Sequence, residues 1–325
     1  MAIKRRRQTS ARRPLLSLDD VKLAAELPIL WLAALTIPER RWKAFCFRLE
    51  SIKARLNLFD PTCVANNAGT VIGAGQLHFD ARGFALESAA GRSEHHIQIL
   101  RSRGAGGWKA IPQLHGADQL DAALAGGRGA VLWVAHFCFN ALATKKALRL
   151  AGYRAWHLSR PEHGFSKSIL GIAVFNPIRV GAELEYLAGR IVFDRDKPAT
   201  ATFAAQRLLR NNGILSITAG AWEGQRLAEI DLLGGKLELA VGAPGLARLT
   251  GAALLPVFTV RGADESTIRV IIEKPLSIPT DGSMDEALQA AAHQFGDLLA
   301  SYVRRYPTEW RDWKNLKLAV SRTAG

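Results

Sequence analysis

One imidazole stands where α/β folds carry chemistry. The run Ala130-Val131-Leu132-Trp133-Val134-Ala135 is short and apolar throughout, the pattern of a strand buried on both faces, and it delivers the chain directly to His136. The carboxyl ends of strands are where open α/β sheets bind ligands. Downstream, Phe137-Cys138-Phe139-Asn140 forms a short connection to Ala141-Leu142-Ala143-Thr144-Lys145-Lys146-Ala147-Leu148, a stretch of helix formers. A neutral imidazole at such a turn can act as a general base, and a buried histidine satisfied by the fold is the plainer alternative. Cys138, two residues on, is a nucleophile only if its thiolate is stabilised; as a free cysteine it suits a core position equally well. The other histidines, among them His95, His96, His157, His163 and His293, show no HExxH or comparable ligand spacing, so no metal site is expected.

The elements that position His136 follow from periodicity. Apolar strand-like runs at 130–135, 153–157, 190–193, 213–217, 252–260 and 267–273 alternate with helical stretches. This is the pattern of an α/β fold with a central mixed, mostly parallel sheet flanked by helices. Ahead of it, Ser17-Leu18-Asp19-Asp20 provides an N-cap with acidic first-turn residues. Pro38-Glu39-Arg40-Arg41 opens a second helix with Trp42, Phe45, Leu49, Ile52 and Leu56 at helical spacing. Further helices are expected from about Phe84 to Arg103, from Ala117 to Leu124, and from about Asp285 to Arg304. Gly126-Gly127-Arg128-Gly129 lacks phosphate-loop spacing and precedes a strand, so it reads as a turn. The expected organisation is a basic flexible arm over residues 1–16 and one α/β domain over 17–325 that includes N-terminal helices at 17–60.

The chain has 325 residues, is 48% hydrophobic and carries a net charge of +14, enough apolar content for one large core. Six cations at Lys4, Arg5, Arg6, Arg7, Arg12 and Arg13 leave about +8 on the remainder, so the body is basic too. This balance favours an acidic partner, which could be an anionic membrane surface, an acidic carrier protein, a phosphorylated ligand or nucleic acid. No nucleic-acid-binding module is recognisable, and nucleic acid is not the expected partner. Three scattered cysteines, Cys46, Cys63 and Cys138, form neither a disulfide framework nor a zinc motif and suit a reducing cytoplasm. The apolar run from Leu27 to Ile37 is too short to span a bilayer and is bounded by Glu26 and Glu39. It reads either as an interfacial helix or as a core helix.

Four segments in one order then matter together: Val134-Ala135-His136; Trp156-His157-Leu158-Ser159-Arg160-Pro161; Ile191-Val192-Phe193-Asp194-Arg195; and Asp231-Leu232-Leu233-Gly234-Gly235, followed by Gly242 and Ala253-Leu254-Leu255-Pro256-Val257-Phe258. In this order the chain resembles the lysophospholipid acyltransferase superfamily, and most of all its bacterial lipid A biosynthesis (lauroyl/myristoyl) branch. The ending Pro307-Thr308-Glu309-Trp310-Arg311-Asp312-Trp313-Lys314 is similar to that branch's closing segment.

The resemblance implies an acyltransferase-like fold that transfers a fatty acyl chain from an acyl carrier protein or coenzyme A thioester to a hydroxyl or amine of a lipid or glycolipid. It implies no bound cofactor beyond the acyl-ACP or acyl-CoA co-substrate, and a cytoplasmic location peripheral to the inner membrane. His136 would be the general base. Arg160, Asp194 and Arg195 would read anionic head groups, and Glu223-Gly224 would match an acceptor-binding turn. The chain departs from the family where an acidic residue should orient the histidine, since that position is Ala141. Asn140 could accept the imidazole N–H in its place, or Asp194 or Glu223 could approach in the fold. Otherwise the scaffold survives as an inactive protein that binds lipid or an acyl carrier.

Overall fold

The computed structural model describes residues 3–5, 13–58, 62–72, 80–194, 198–220, 224–264 and 267–318. Its centre is a seven-stranded sheet made of β2 (Gln113–His115), β3 (Ala130–Ala135), β4 (Ala155–Ser159), β5 (Gly189–Val192), β6 (Ile214–Ala219), β9 (Ala253–Arg261) and β10 (Ile268–Ile272). The spatial order is β2-β10-β9-β3-β6-β4-β5, and every pairing is parallel except that between β9 and β10. β3 lies between β6 and β9 and all six of its residues are buried, which is why its sequence is continuously apolar and not alternating. Each expected strand is present to within two residues. Gly129, immediately before β3, has φ of +72°, and a Cβ there would lie 2.5 Å from the carbonyl oxygen of Gly213; the tight turn requires glycine.

Helices cover both faces of this sheet. On one face α9 (Pro198–Arg210), α10 (Gly242–Thr250) and α11 (Met284–Arg305) pack. The Trp133 ring packs at a tilt against Phe295 of α11 at 4.2 Å between centroids, and Phe258 stacks on Tyr302 at 3.8 Å. On the other face lie α5 (Ala117–Ala125) and α6 (Asn140–Leu150), whose Ala147 and Leu148 meet Leu132 and Val134. Against them packs an N-terminal helical layer of α1 (Leu18–Thr36), α2 (Trp42–Arg55) and α4 (Ala81–Arg103), with α3 (Thr62–Ile72) beside α4. The pair α7 (Ile169–Val174) and α8 (Asn176–Leu184) completes it. Ser17 caps α1 in a reciprocal capping box with Asp20. Within the Leu27–Ile37 run, Leu27, Leu30, Ala33 and Ala34 are buried while Ile29, Trp31, Leu32 and Leu35 are exposed. The run is both a core helix and an apolar surface. The expected apolar stripe of α2 holds only in part, because Ile52 and Leu56 face solvent.

A second, antiparallel sheet escaped the sequence reading. It has the order β1-β7-β8-β11, built from β1 (Lys4–Arg5), β7 (Arg226–Leu232), β8 (Gly235–Ala240) and β11 (Lys317–Leu318). Leu233 and Gly234, both with positive φ, make the two-residue turn of its hairpin. Its apolar side, including Ile230, packs on α11. The described parts of the arm expected over residues 1–16, residues 3–5 and 13–16, therefore touch the fold. Lys4 pairs with Glu229 and Glu238, Ile3 is buried, and Arg13 forms an ion pair with Glu162. Arg6, Arg7 and Arg12 lie outside the described residues.

Candidate active site

His136 follows β3 directly and continues it as an irregular edge. Phe137 bridges Trp310 antiparallel, the Cys138 N–H donates to the Glu309 carbonyl at 2.9 Å, and the Arg311 N–H donates to the His136 carbonyl at 3.0 Å. This clamp lays the segment 309–312 alongside the histidine. As a result Oδ1 of buried Asp312 accepts from His136 Nδ1 at 3.0 Å. The same oxygen accepts from Asn315 Nδ2 at 2.9 Å, which holds the carboxylate in place. Trp310 and Trp313 anchor the segment: both are buried, they meet edge to face at 4.9 Å, and the Trp313 indole N–H donates to the Pro307 carbonyl. These aromatics are core side chains and offer no open faces for stacking.

A carboxylate accepting from Nδ1 leaves Nε2 as the basic nitrogen, the arrangement of a histidine general base with its orienting acid. The acid missing at Ala141 thus comes from 176 residues downstream. Asn140 sits in the first turn of α6, buried, and lines the same cleft as His136, but the orienting contact to Nδ1 is made by Asp312. Asp194 is exposed after edge strand β5 and lines none of the cavities described below. Arg195 and Glu223 lie outside the described residues. Gly224 has a packing reason to be glycine, since a Cβ there would sit 2.6 Å from the Ala240 Cβ. The Cys138 thiol is buried and pushed up to about 11 by that burial, so it is no nucleophile at neutral pH.

His136 opens into a cleft of about 550 Å³, lined among others by Arg13, Asn140, Arg160, Lys167, Arg179 and Arg311. A more apolar pocket of about 300 Å³ adjoins it, between β4, β6, α9 and α10, with Ala201, Ala205, Val241, Leu246 and Leu249 in its wall. The two share Leu158, Ser159, Arg160 and Thr218. A cationic chamber containing the imidazole therefore lies next to an apolar one, with the ends of β4 and β6 as common wall.

The cleft floor is a buried ion cluster. Glu183, fully buried on α8, takes Lys145 of α6, His163 Nε2 at 2.7 Å and Arg179 Nε at 2.8 Å. Burial alone would raise the Glu183 carboxyl, but His163, Lys145 and Arg179 together hold it well below the usual range. Burial pushes Lys145 down to about 8 against the pull of Glu183. His157, His163 and Glu183 are the one trio of metal-capable side chains close enough to share an ion among the described residues. The Lys145 and Arg179 cations and the His163 ring already share the carboxylate, and His157 Nδ1 faces the Ser216 carbonyl at 3.1 Å, so the trio fits a structural ion cluster better than a divalent metal.

No protein-family model and no curated protein matches this chain.

Proposed function

We propose that the chain is an acyltransferase that moves a fatty acyl group from an acyl carrier protein or coenzyme A thioester to a hydroxyl or amine of a lipid or glycolipid. The observation that carries this reading is the His136–Asp312 pair at a strand exit, facing a cationic cleft that adjoins an apolar pocket. His136 Nε2 removes the acceptor proton as the oxygen or nitrogen attacks the thioester carbonyl. Asp312 stabilises the imidazolium, which then protonates the departing thiolate. Asn140, at the cleft wall, is placed to donate its amide to the developing oxyanion, a role that needs no charge. The apolar pocket takes the acyl chain, and Arg160, on the wall common to both chambers, faces the polar head. The chemistry needs no metal or prosthetic group, only the thioester as co-substrate.

Ala141 is the one feature that favours the rival, an inactive protein that binds lipid or an acyl carrier. Asp312 supplies the function that Ala141 lacks and so favours the active reading.

A peripheral site on the cytoplasmic face of the inner membrane suits the surface around the cleft. Leu15, Leu16 and Leu18 are 63%, 51% and 82% exposed, and Ile169 and Leu170 beside them are 52% and 44% exposed. Backbone hydrogen bonds from Ile169 to Pro14 and from Leu170 to Leu15 join the two groups, and Arg13 and Pro14 also line the cleft. An apolar rim next to a cationic entrance matches an anionic lipid surface. Among the described residues no helix is long and apolar enough to cross a membrane.

The test is transfer of labelled acyl groups from acyl carrier protein and from acyl-coenzyme A into a lipid extract, with His136→Ala as control. A labelled lipid product that disappears with the variant supports the reading. Labelled product formed equally by a folded His136→Ala protein refutes His136 as the base, and no product from either donor with any acceptor refutes the enzyme.

A further inference from the structure

A second cavity of about 320 Å³ lies behind the cleft, under α1, α2 and α4. It shares Gly164, Phe165, Arg179 and Arg311 with the cleft. Its lining residues are of two kinds. Glu26 and Glu50 are occupied with Lys53 and Ser93. With them stand Arg92 of α4, Arg179 of α8 and Arg311 of the segment that carries Asp312. Arg179 is committed through Nε to Glu183. The guanidinium groups of Arg92 and Arg311 form no ion pair and no hydrogen bond with any described residue. Each is half-buried, and a guanidinium removed from water with no acceptor costs stability unless a ligand supplies one.

The surroundings carry the imprint of that charge. His96 lines the same cavity, its Nδ1 is buried without a partner, and its ring meets Phe165 edge to face at 4.9 Å. Burial, reinforced by Arg311, Arg179 and Arg92, pushes His96 down to about 3, so it is a neutral donor or acceptor and adds no further charge. Burial, together with Arg92 and Arg179, pushes Arg311 down to about 10, still a cation at neutral pH. Two guanidinium forks and an imidazole, all without partners among the described residues, thus line one space that adjoins the His136 cleft. Forked donors in this arrangement match the oxygens of a phosphate or diphosphate.

We propose that Arg92, Arg311 and His96, with Arg179 beside them, form a phosphate-binding site that holds a phosphate or diphosphate group of a substrate next to the His136–Asp312 pair. Assigning that group to a substrate rests on the acyl-transfer reading; the anion site does not. Two sources share the chemistry, a phosphorylated head group on the acceptor lipid and the phosphates of the thioester donor's pantetheine carrier.

The probe is inorganic pyrophosphate, titrated calorimetrically into the full chain at low ionic strength. The expected result is saturable binding of one equivalent, weakened roughly 10- to 100-fold by Arg92→Gln and by Arg311→Gln, the loss expected for a charge-assisted contact. Arg149→Gln, which removes an exposed cation at the far end of α6, should leave binding unchanged. Because neither guanidinium has a partner among the described residues, Arg92→Gln and Arg311→Gln should melt at or above the parental temperature without pyrophosphate. A clear fall would make the arginines structural and overturn the proposal. No saturable binding to the parent, or equal binding by the variants, overturns it too.

In transfer assays, a KM raised only for the thioester assigns the site to the donor, and one raised only for the acceptor assigns it to the head group. If pyrophosphate binding behaves as expected and no acyl transfer is found, the anion site stands and the acyltransferase reading falls.

Discussion

Replacing Asp312 by Asn tests the central geometry most directly, because it removes a charge and almost no volume. In the parent the carboxylate oxygen lies 3.0 Å from His136 Nδ1, and His136 and Asp312 side chains are 18% and 6% exposed. Two unit charges at that separation interact by about 5 kcal/mol at an effective dielectric constant near 20. Residual solvent at His136 screens part of this. The stabilisation reaches the reaction only while the imidazolium exists, so its loss falls on the rate and not on thioester binding. The expected fall in kcat is about 10²- to 10⁴-fold with little change in KM. The asparagine oxygen can still accept from both His136 Nδ1 and Asn315 Nδ2, so folding and ring orientation persist. Circular dichroism and a melting curve alongside single-turnover acyl transfer separate the effects. A folded Asp312→Asn protein within threefold of the parental rate would refute Asp312 as the orienting acid.

Other consequences can be measured independently. Ala141→Asp in the parent should lower stability and give no gain in rate, since position 141 is 6% exposed and Asp312 already serves the ring; a faster enzyme in a transfer assay would contradict this. Glu183→Gln should cost about 3–5 kcal/mol in urea denaturation, because Lys145, His163 and Arg179 lose a shared buried partner; a loss below about 1 kcal/mol would show that the cluster is not stabilising. Burial, opposed by hydrogen bonds from the Arg261 N–H and by that residue's charge, pushes the Glu309 carboxyl up from 4.5 to about 7. The folded state thus holds this proton more tightly than the unfolded one, and the contribution is present below about pH 4.5 and lost as pH rises through 7. Glu309→Gln should therefore raise the melting temperature at pH 8 more than at pH 5, and equal shifts at the two values would refute the assignment. Leu18→Glu should weaken binding to anionic vesicles if the rim around the cleft meets lipid, and unchanged co-sedimentation would remove that surface from consideration.

Much of the sheet was legible in the sequence because burial on both faces forces continuous apolar runs. β3 is such a run and β6 and β9 are mostly apolar, and each appears within two residues of its expected limits. The turn at Gly129 and the cap at Ser17 were legible for the same kind of local reason, a backbone conformation or an orphan donor that few residues can satisfy. β1, β7, β8 and β11 were not. β1 and β11 are two residues long and pair with strands distant in the chain, which leaves no local period to read, whereas the β7–β8 hairpin is local and β8 alternates buried and half-buried residues, a period-2 signal that the expected strands did not include.

The site divides in the same way. The sequence by itself placed His136 at the exit of a buried strand, since strand, turn and helix are contiguous. It could not name the acid, because the nearby positions hold Asn140 and Ala141 and the carboxylate arrives with a distant segment. In the sequence, Trp310-Arg311-Asp312-Trp313 is legible only as part of an ending similar to the lipid A acyltransferase branch, and nothing local marks Asp312 as a partner of His136. Its meaning depends on the bridge between Phe137 and Trp310 and on two buried indoles that fix where Asp312 points. Likewise, Arg92, Arg179 and Arg311 lie far apart in the chain and line one cavity only because α4, α8 and the C-terminal segment pack together. Local chemistry is written in neighbouring residues, whereas a carboxylate–imidazole contact or a cation cluster is a property of packing, decided when the sheet and its helices close over the cleft.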